Sequence, residues 1–508
     1  MAGAEGASST RYTRLVVRGA SFTGVGSILT QAVTLASYVV LARLAGPSVF
    51  GAFAAAWILV GVGTLFAESG MSAALIQRSD RLDEAAATAL LSTLAAGVAL
   101  SLIALAASPL VGLYFHSHEI GLLAAALSGV LFLNAVTVVP DALMRRRFSY
   151  VRLMIVDPLN ALTYGGAGAV ALAAGMGAWG LVLATYAASV VRVTAVLVLG
   201  RWAPDLRRAS FSMWRELAQY ARHVVASEVV REIGGIASTA LLGRFVGIAP
   251  LGAYRFGWRM ATQAGLPVAA ASAHVLLPAF ARMADDQERF RTAFLRSMRV
   301  VSVLVLPVSF ALVPLGEPAA VTLLGSSWRT AGHVLAALAG VAAALSAIAL
   351  ATEVFKAANR PDLLPRMSLL LTIATLVLMA ASLPFGVVAV GGAMSVAYLL
   401  TAFYALTQVS RILVLPLRRV GASLAGPAVA AAGMTGLLFV FRAVWNVEAR
   451  ATLVQLGWLG ASLLVAVAAY ALLLRLVAPS AARELVQAAG IFRSRGVAAG
   501  ADEEALGR

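Results

Sequence analysis

Long runs without acidic or basic residues, separated by short charged segments, make up most of this chain. The runs cover residues 19–42, 44–67, 85–118, 120–140, 158–191, 260–281, 300–316, 330–352, 367–410, 420–441 and 451–474. Most of them reach or exceed the length of about 20 apolar residues that an α-helix needs to cross a bilayer. The pattern therefore predicts an all-α polytopic membrane protein.

Glycine and proline divide the three longest runs. We expect breaks at Pro109, at residues 175–177 and at residues 384–386, because these residues punctuate helices. The run 260–281 is predicted to belong to a span that starts near residue 251, and the interval 217–243 supplies a further helix despite its charged residues. The resulting count is about fourteen transmembrane helices.

The distribution of basic residues predicts the orientation. Alternate connections hold 30 Arg and Lys residues on one side and five on the other, and four more lie within or at the ends of spans. Cytoplasmic loops carry an excess of Lys and Arg. The richer side includes both termini, so we expect both of them to be cytoplasmic.

Composition excludes several classes of function. Of 508 residues, 61% are hydrophobic and 12% are charged, and there is no cysteine, which excludes a disulfide, a thiol nucleophile and a Cys-metal site. The single lysine, Lys356, lacks the glycines of a phosphate-binding loop. His116, His118 and Glu119 lack further ligands at zinc spacing. We therefore expect no enzyme activity, no cofactor and no metal.

The net charge of +16 would usually suggest nucleic-acid binding. Here the arginines stand in short clusters between apolar runs, so the charge is explained by membrane orientation and predicts no nucleic-acid partner.

An internal repeat predicts two halves. The segment LARLAGPSVFGAF at 41–53 aligns with LGRFVGIAPLGAY at 242–254 at a constant offset of 201, and both are expected in external turns. An even number of helices separates the copies, so the halves share one orientation and a pseudo-twofold axis along the membrane normal, as in some transporters.

The predicted domains follow from this repeat. They are a cytoplasmic segment 1–18, an N-lobe of six helices at 19–200, a cytoplasmic linker 201–216, a C-lobe of six helices at 217–411, two extra helices at 420–475 and a cytoplasmic tail 476–508.

Four segments resemble one family of transporters. RGASF at 18–22, VLARLAGPSVFG at 40–51, ESGMSAALIQR at 68–78 and LMRRRFSYVR at 143–152 are similar to the polysaccharide-transport family. That family comprises Wzx-type oligosaccharide flippases and lipopolysaccharide exporters of the multidrug/oligosaccharidyl-lipid/polysaccharide (MOP) superfamily, to which the MATE transporters belong. The resemblance implies a MATE-like fold in the bacterial cytoplasmic (inner) membrane. It also implies that the protein moves undecaprenyl-diphosphate-linked sugar units from the cytoplasmic to the periplasmic leaflet by alternating access. It also implies lipid-linked oligosaccharide, membrane lipids, a polysaccharide polymerase and glycosyltransferases as partners.

Charged residues inside predicted spans are the candidate site. Arg255, Arg259 and Gln263 are spaced i, i+4, i+8 on one helix face. Charges at bilayer depth require protein or water around them. These residues, with Arg231 as a deeper contact, are therefore predicted to line a cavity in which Arg guanidiniums hold a diphosphate. The alternative is a closed cluster in which Arg231 and Arg259 neutralise Glu228 and Glu232.

Further cavity residues are expected on helix one and among the acids. Ser27, Gln31, Thr34 and Tyr38 share a helical face and either line the same cavity or join helices by hydrogen bonds. The candidate ion-coupling or cavity acids are Glu68, Glu228 and Glu232. Glu68, Asp157 and Glu353 lie toward the predicted cytoplasmic ends of their helices, where acids are most often solvated or paired with loop arginines.

Other functions remain open at this point. A lipid II flippase would also bind a diphosphate, and a multidrug or cation antiporter of the same superfamily would prefer exposed acids to an Arg-rich helix. A polytopic glycosyltransferase or ligase would need acids or a large loop on the external side, where the predicted connections are short.

Overall fold

The computed structural model describes residues 30–67, 69–78, 80–146, 150–200, 205–283, 285–444 and 452–484. These residues form α-helices and short 3-10 turns, and no strand occurs among them. The predicted all-α architecture is confirmed over this part of the chain.

Eighteen α-helices are described, several of which follow one another within a single span. Their bounds are α1 Thr30–Leu44, α2 Pro47–Ala56, α3 Ile58–Ala67, α4 Ser69–Gln77, α5 Leu82–Tyr114, α6 His118–Leu127, α7 Val130–Arg146, α8 Tyr150–Ala173, α9 Ala178–Gly200, α10 Phe211–Phe245, α11 Ile248–Ala281, α12 Gln287–Leu324, α13 Arg329–Ala337, α14 Ala339–Ala357, α15 Leu363–Ser382, α16 Val387–Ile412, α17 Leu417–Val444 and α18 Thr452–Val477.

Nine helical segments of the described chain are long and apolar enough to cross a membrane. The pair α1 and α2, bent by 117° at residues 45–46, is a tenth candidate. A multi-pass membrane protein is therefore confirmed, and the exact count of fourteen spans stays a prediction.

Two of the three predicted breaks are confirmed. The chain turns between α8 and α9, where Gly175 and Gly177 have φ of 81° and 54°, and again between α15 and α16, where Gly386 has φ of 85°. Residues with a Cβ atom adopt these φ angles less readily than glycine does, so glycine is favoured there.

The break predicted at Pro109 is wrong. Pro109 lies inside α5, which continues to Tyr114, and the turn falls at residues 115–117, where His116 has φ of 52°. A proline removes only one backbone hydrogen bond, and helices in membranes tolerate it because local adjustments satisfy the carbonyl it leaves.

Both copies of the repeat form a helix, a two-residue break and a second helix. In the first copy the break is Ala45–Gly46, and in the second it is Val246–Gly247. The turn expected within 41–53 is thus limited to two residues, because Pro47 starts α2 at a position where its fixed φ suits the first helical turn.

The chain divides into two compact units, Met1–Gly252 and Ala253–Arg508. In the first unit Leu75, Ala86, Leu143 and Met213 bury against one another and join α4, α5, α7 and α10. The predicted lobe boundaries at 201–216 and the pseudo-twofold relation of two six-helix halves stay predictions.

The second unit holds two clusters of buried side chains. Phe280, Phe294 and Phe355 join α11, α12 and α14, and Met434 and Trp458 pack α17 and α18 onto α12. The two helices predicted to stand outside the repeat are therefore fixed to α12.

Candidate functional site

The arginine pair of α11 lies next to an aromatic cluster of the same helix. Tyr254 is 2% exposed, and Trp258 stacks on it at 6.1 Å between ring centroids and meets Tyr398 of α16 at 5.6 Å. Arg255 is exposed and Arg259 is half-buried. The aromatic residues thus pack α11 against α16.

Gln263 lies on the same face of α11 as the two arginines. It is half-buried and follows Arg259 by one turn. The order Arg255, Arg259, Gln263 along one helical face is therefore kept in an unbroken helix.

On α10 the predicted acidic and basic residues lie within one continuous helix. Glu232 is half-buried, whereas the side chains of Glu228 and Arg231 lie outside the described residues. Glu68 also lies outside them. A cavity that combines these residues with Arg255 and Arg259 stays a prediction.

The polar residues of helix α1 differ in their exposure and in their contacts. Gln31 is exposed, and Tyr38 is half-buried with its ring centroid 6.1 Å from that of Tyr164 on α8. Ser37, which belongs to the neighbouring face, donates a hydrogen bond to the carbonyl oxygen of Ala161 at 3.1 Å. The hydrogen bond from Ser37 shows how α1 is fixed to α8. Ser27 lies outside the described residues.

Two of the remaining acids are paired. Asp157 accepts a hydrogen bond from Arg192 at 3.0 Å, and Glu353, only 4% exposed, accepts one from Lys356 at 2.9 Å. Both acids are thus paired, but with an arginine and a lysine of helices α9 and α14 and not with the loop arginines that were expected.

A charged cluster that the sequence analysis missed joins three helices of the first unit. Arg192 of α9 donates to Asp141 of α7 at 2.5 Å as well as to Asp157 of α8. The sequence contains a signal for this cluster, because Asp141 and Arg192 each directly follow a long uncharged run. The cluster carries two acids and one base, and one carboxylate oxygen of Asp141 is buried without a hydrogen-bond partner.

Charged residues also fix α10 at the end of the first unit that is predicted to be cytoplasmic. Glu216 accepts hydrogen bonds from Arg78 at 2.7 Å and from Arg81 at 3.2 Å. The hydrogen bond from Arg78, followed by that from Arg81, holds the pKa of the Glu216 carboxyl below its usual range. The described part of the predicted linker also lies here, where Arg208 contacts Asp83 at 3.1 Å.

At the opposite end of α10 the two copies of the repeat touch. A Cβ on Gly51 would overlap with the carbonyl oxygen of Ile248, and a Cβ on Gly252 would overlap with that of Pro47. The contact is reciprocal, because Ile248 and Gly252 follow Pro47 and Gly51 by the same 201 positions. The closest approach of the two copies therefore has a local twofold symmetry.

The histidines near this end are not arranged as metal ligands. The Nδ1 atom of His116 accepts a hydrogen bond from Arg244 at 2.7 Å, and no group of three His, Cys, Asp or Glu side chains that could hold an ion occurs within the described residues.

Comparisons with known proteins give the family. A family model described as "Polysaccharide biosynthesis protein" matches residues 40–332. The succinoglycan biosynthesis transport protein ExoT of Rhizobium meliloti (strain 1021) is 30% identical over 308 residues, 59% of this chain and 60% of ExoT. The lipopolysaccharide biosynthesis protein WzxC of Escherichia coli (strain K12) is 21% identical over 63% of this chain and 65% of WzxC. The match thus spans less than two thirds of the length of these relatives.

Solved structures show a similar fold. The lipid II flippase MurJ in its inward closed conformation superposes with a TM-score of 0.73 at 13% identity, over 89% of this chain and 98% of MurJ. An inward-facing MATE family transporter of the MOP superfamily gives a TM-score of 0.58 at 17% identity, over 75% and 95% of the two chains. The predicted resemblance to this superfamily is confirmed at the level of the fold.

Proposed function

Because the chain belongs to the polysaccharide biosynthesis protein family, we propose that it is a flippase for undecaprenyl-diphosphate-linked oligosaccharide. It moves the lipid-linked repeat unit from the cytoplasmic to the periplasmic leaflet of the inner membrane. The name of ExoT describes a transport protein, and a relative from Haloferax volcanii is named a probable glycan biosynthesis flippase. Both names support a transporter rather than an enzyme.

The observation that carries this proposal is the arginine pair of α11, in which Arg255 is exposed and Arg259 is half-buried. Arg255 and Arg259 stand one turn apart, so their guanidinium groups reach the same region. Planar guanidinium groups bind phosphate oxygens with two parallel hydrogen bonds, which a point-like ammonium group does not reproduce. Arginine is also expensive at membrane depth, by about 2.5–3.5 kcal/mol or more, so such residues usually serve function. We assign the diphosphate to these two residues.

The other predicted site residues surround this position in the proposal. Arg231 is a deeper contact to the diphosphate, and Gln263, Gln31 and Tyr38 offer hydrogen bonds to sugar hydroxyl groups. The acids Glu68, Glu228 and Glu232 either bind a coupling ion or balance the arginines. A polymerase and glycosyltransferases supply and consume the lipid-linked unit.

Alternating access follows from the same proposal. The contact between Gly51 and Gly252 lies at the predicted external end, and the contacts of Glu216 with Arg78 and Arg81 lie at the predicted cytoplasmic end. Release of a sugar on the external side requires the glycine contact to separate, whereas uptake on the cytoplasmic side does not. No ATP is consumed, because the chain contains no nucleotide-binding motif.

The test is transport by purified protein in proteoliposomes with a fluorescent undecaprenyl-diphosphate oligosaccharide. Labelled lipid that reaches the outer leaflet is quenched by an impermeant reagent. Arg255→Lys and Arg259→Lys should lower the initial rate about tenfold, because each loses charge-assisted hydrogen bonds to the diphosphate. Arg289→Ala is the matched control, since Arg289 is exposed on α12 and pairs only with Asp286 among the described contacts.

The outcomes separate the function from the site. Wild-type protein that fails to move this lipid overturns the proposed function. Normal transport by both arginine variants, with an active wild type, overturns only the diphosphate site.

A further inference from the structure

A groove runs between α5 and α6 at the end of the first unit that is predicted to be external. Its volume is about 420 Å³, within the range of about 300–1,000 Å³ that small-molecule sites occupy. Pro109 and Gly112 of α5 form one wall, and Gly121 and Ala125 of α6 form the other. The groove follows the helices for about one and a half turns, or roughly 8 Å at 1.5 Å per residue.

Two glycines form the floor of the groove. A Cβ on Gly112 would lie 3.2 Å from the Cα atom of Gly121, and the reverse distance is the same. The helices approach closely here because neither residue has a side chain. Since the floor is backbone and the walls are mainly apolar, the groove suits a hydrocarbon chain rather than a sugar.

The groove opens away from the protein. Leu113, on its edge, is 73% exposed, and the neighbouring Leu110 and Leu122 are 66% and 46% exposed. Such exposure of leucine in a membrane span means contact with lipid tails. A lipid can therefore enter the groove directly from the bilayer.

The turn at the outer end of the groove carries hydrogen-bond donors. His116 and His118 line this end, and Arg244 of α10 donates to the Nδ1 atom of His116 at 2.7 Å. Arginine is only a donor, so Nδ1 must be the acceptor and the proton of the neutral ring is on Nε2. His116 thus offers an N–H group beside a guanidinium group that carries a full positive charge.

The fold holds this arrangement in place. Phe115 is buried and packs against Gly243, and the Tyr114 hydroxyl donates to the carbonyl oxygen of Ala240 at 3.4 Å. These contacts fix the turn to the end of α10. The first turn of α6 adds a favourable dipole for an anion, while Glu119, which is exposed there, is not among the residues that line the groove.

We propose that this groove binds one anionic phospholipid from the leaflet that is predicted to be periplasmic. An acyl chain lies along the glycine floor, and the headgroup phosphate accepts hydrogen bonds from His116, His118 and Arg244. This site uses none of the residues of the proposed diphosphate site on α11, and lipid binding to it can be measured without transport.

The experiment compares two lipids that differ only in the headgroup. Full-length protein in detergent is titrated with phosphatidylglycerol or with phosphatidylcholine of identical acyl chains, and bound lipid is counted by native mass spectrometry. Wild-type protein should retain one phosphatidylglycerol about tenfold more strongly than phosphatidylcholine, because the headgroup contacts are charge-assisted. Arg244→Gln should reduce this preference to about twofold or less by the same argument.

A second pair of variants tests the groove itself. Ala125→Phe fills the groove from its wall and should abolish retention of the strongly bound lipid, whereas Val170→Phe adds the same ring at a lipid-facing position of α8 that is 73% exposed and should leave retention unchanged. Unchanged retention in Ala125→Phe, or equal retention of both lipids by wild-type protein, would overturn the proposal. If Ala125→Phe fails to fold, the headgroup comparison and Arg244→Gln decide it alone.

Discussion

Gly51 and Gly252 occupy equivalent positions of the internal repeat, and each lies against the helix that contains the other. A Cβ on Gly252 would come within 2.7 Å of the amide nitrogen of Gly51 and would overlap with the Pro47 carbonyl oxygen. Small residues allow membrane helices to approach so closely that backbones touch. The two copies of the repeat are thus related by a direct backbone contact, in addition to their similarity in sequence.

This contact predicts that Gly51→Ala lowers stability and transport. The new methyl group would meet backbone atoms of Ile248, which cannot move as a side chain can, and overpacking of this kind costs about 1–3 kcal/mol. We expect a lower apparent Tm in detergent and slower transport. Gly61→Ala is the control, since a Cβ there has no neighbour within 4 Å. Equal melting temperatures for the two variants would show that the glycine contact is not tight.

The predicted topology can be tested because the chain has no cysteine. Ser117→Cys, in the turn between α5 and α6, should react with an impermeant thiol reagent in intact cells. Gln287→Cys, at the start of α12, should react only after the membrane is permeabilised. Labelling of position 287 in intact cells would contradict the orientation.

The contacts of Glu216 predict a small acid sensitivity. Hydrogen bonds from Arg78 and Arg81 keep the folded-state pKa of this carboxyl below its ordinary value of 4.5, so its contribution to stability is present above that value and is lost as pH falls through the lower folded pKa. Glu216→Gln should therefore reduce the fall in apparent Tm between about pH 5 and pH 3. Asp83→Asn, which changes an exposed partner of Arg208, is the comparison, and an identical acid profile for wild type and Glu216→Gln would exclude this role.

The Arg192 cluster predicts a strong effect on stability. Arg192→Gln leaves Asp141 and Asp157 without their shared cation, and removal of one partner from a largely buried ion pair costs about 3–5 kcal/mol. We expect low abundance in the membrane and a lower apparent Tm. Adding Asp141→Asn should recover part of the loss, because it removes the acid with the buried unsatisfied oxygen. No recovery in the double variant would show that Arg192 acts through other contacts.

The alternative to a substrate site on α11 predicts a different pattern. If Arg259 mainly neutralises Glu232, Arg259→Ala should reduce membrane abundance, and Glu232→Ala should restore it. If Arg259 binds the diphosphate, abundance should stay near normal and transport should remain low in the double variant. Quantifying abundance and transport in the three variants distinguishes the two roles.

The sequence alone determined the class of the protein and much of its local structure. Runs of apolar residues require a membrane, since every backbone group must be bonded within a helix there, and Gly175, Gly177 and Gly386 end helices because of their own backbone preferences. The motifs at 40–51 and 68–78 identified the family, since a family model matches residues 40–332. Helical periodicity also placed Arg255 and Arg259 on one face, which needs only the spacing of residues along the chain.

The tertiary structure decided which distant residues meet. Arg192 contacts Asp141 across 51 positions and Glu216 contacts Arg78 across 138, and no periodicity indicates such pairs, because partner choice depends on how whole helices pack. The same reason explains Pro109, which was expected to end a helix by its local preference but lies inside α5. It also explains Gly51 and Gly252, whose similarity the sequence showed and whose backbone contact only the folded chain could produce.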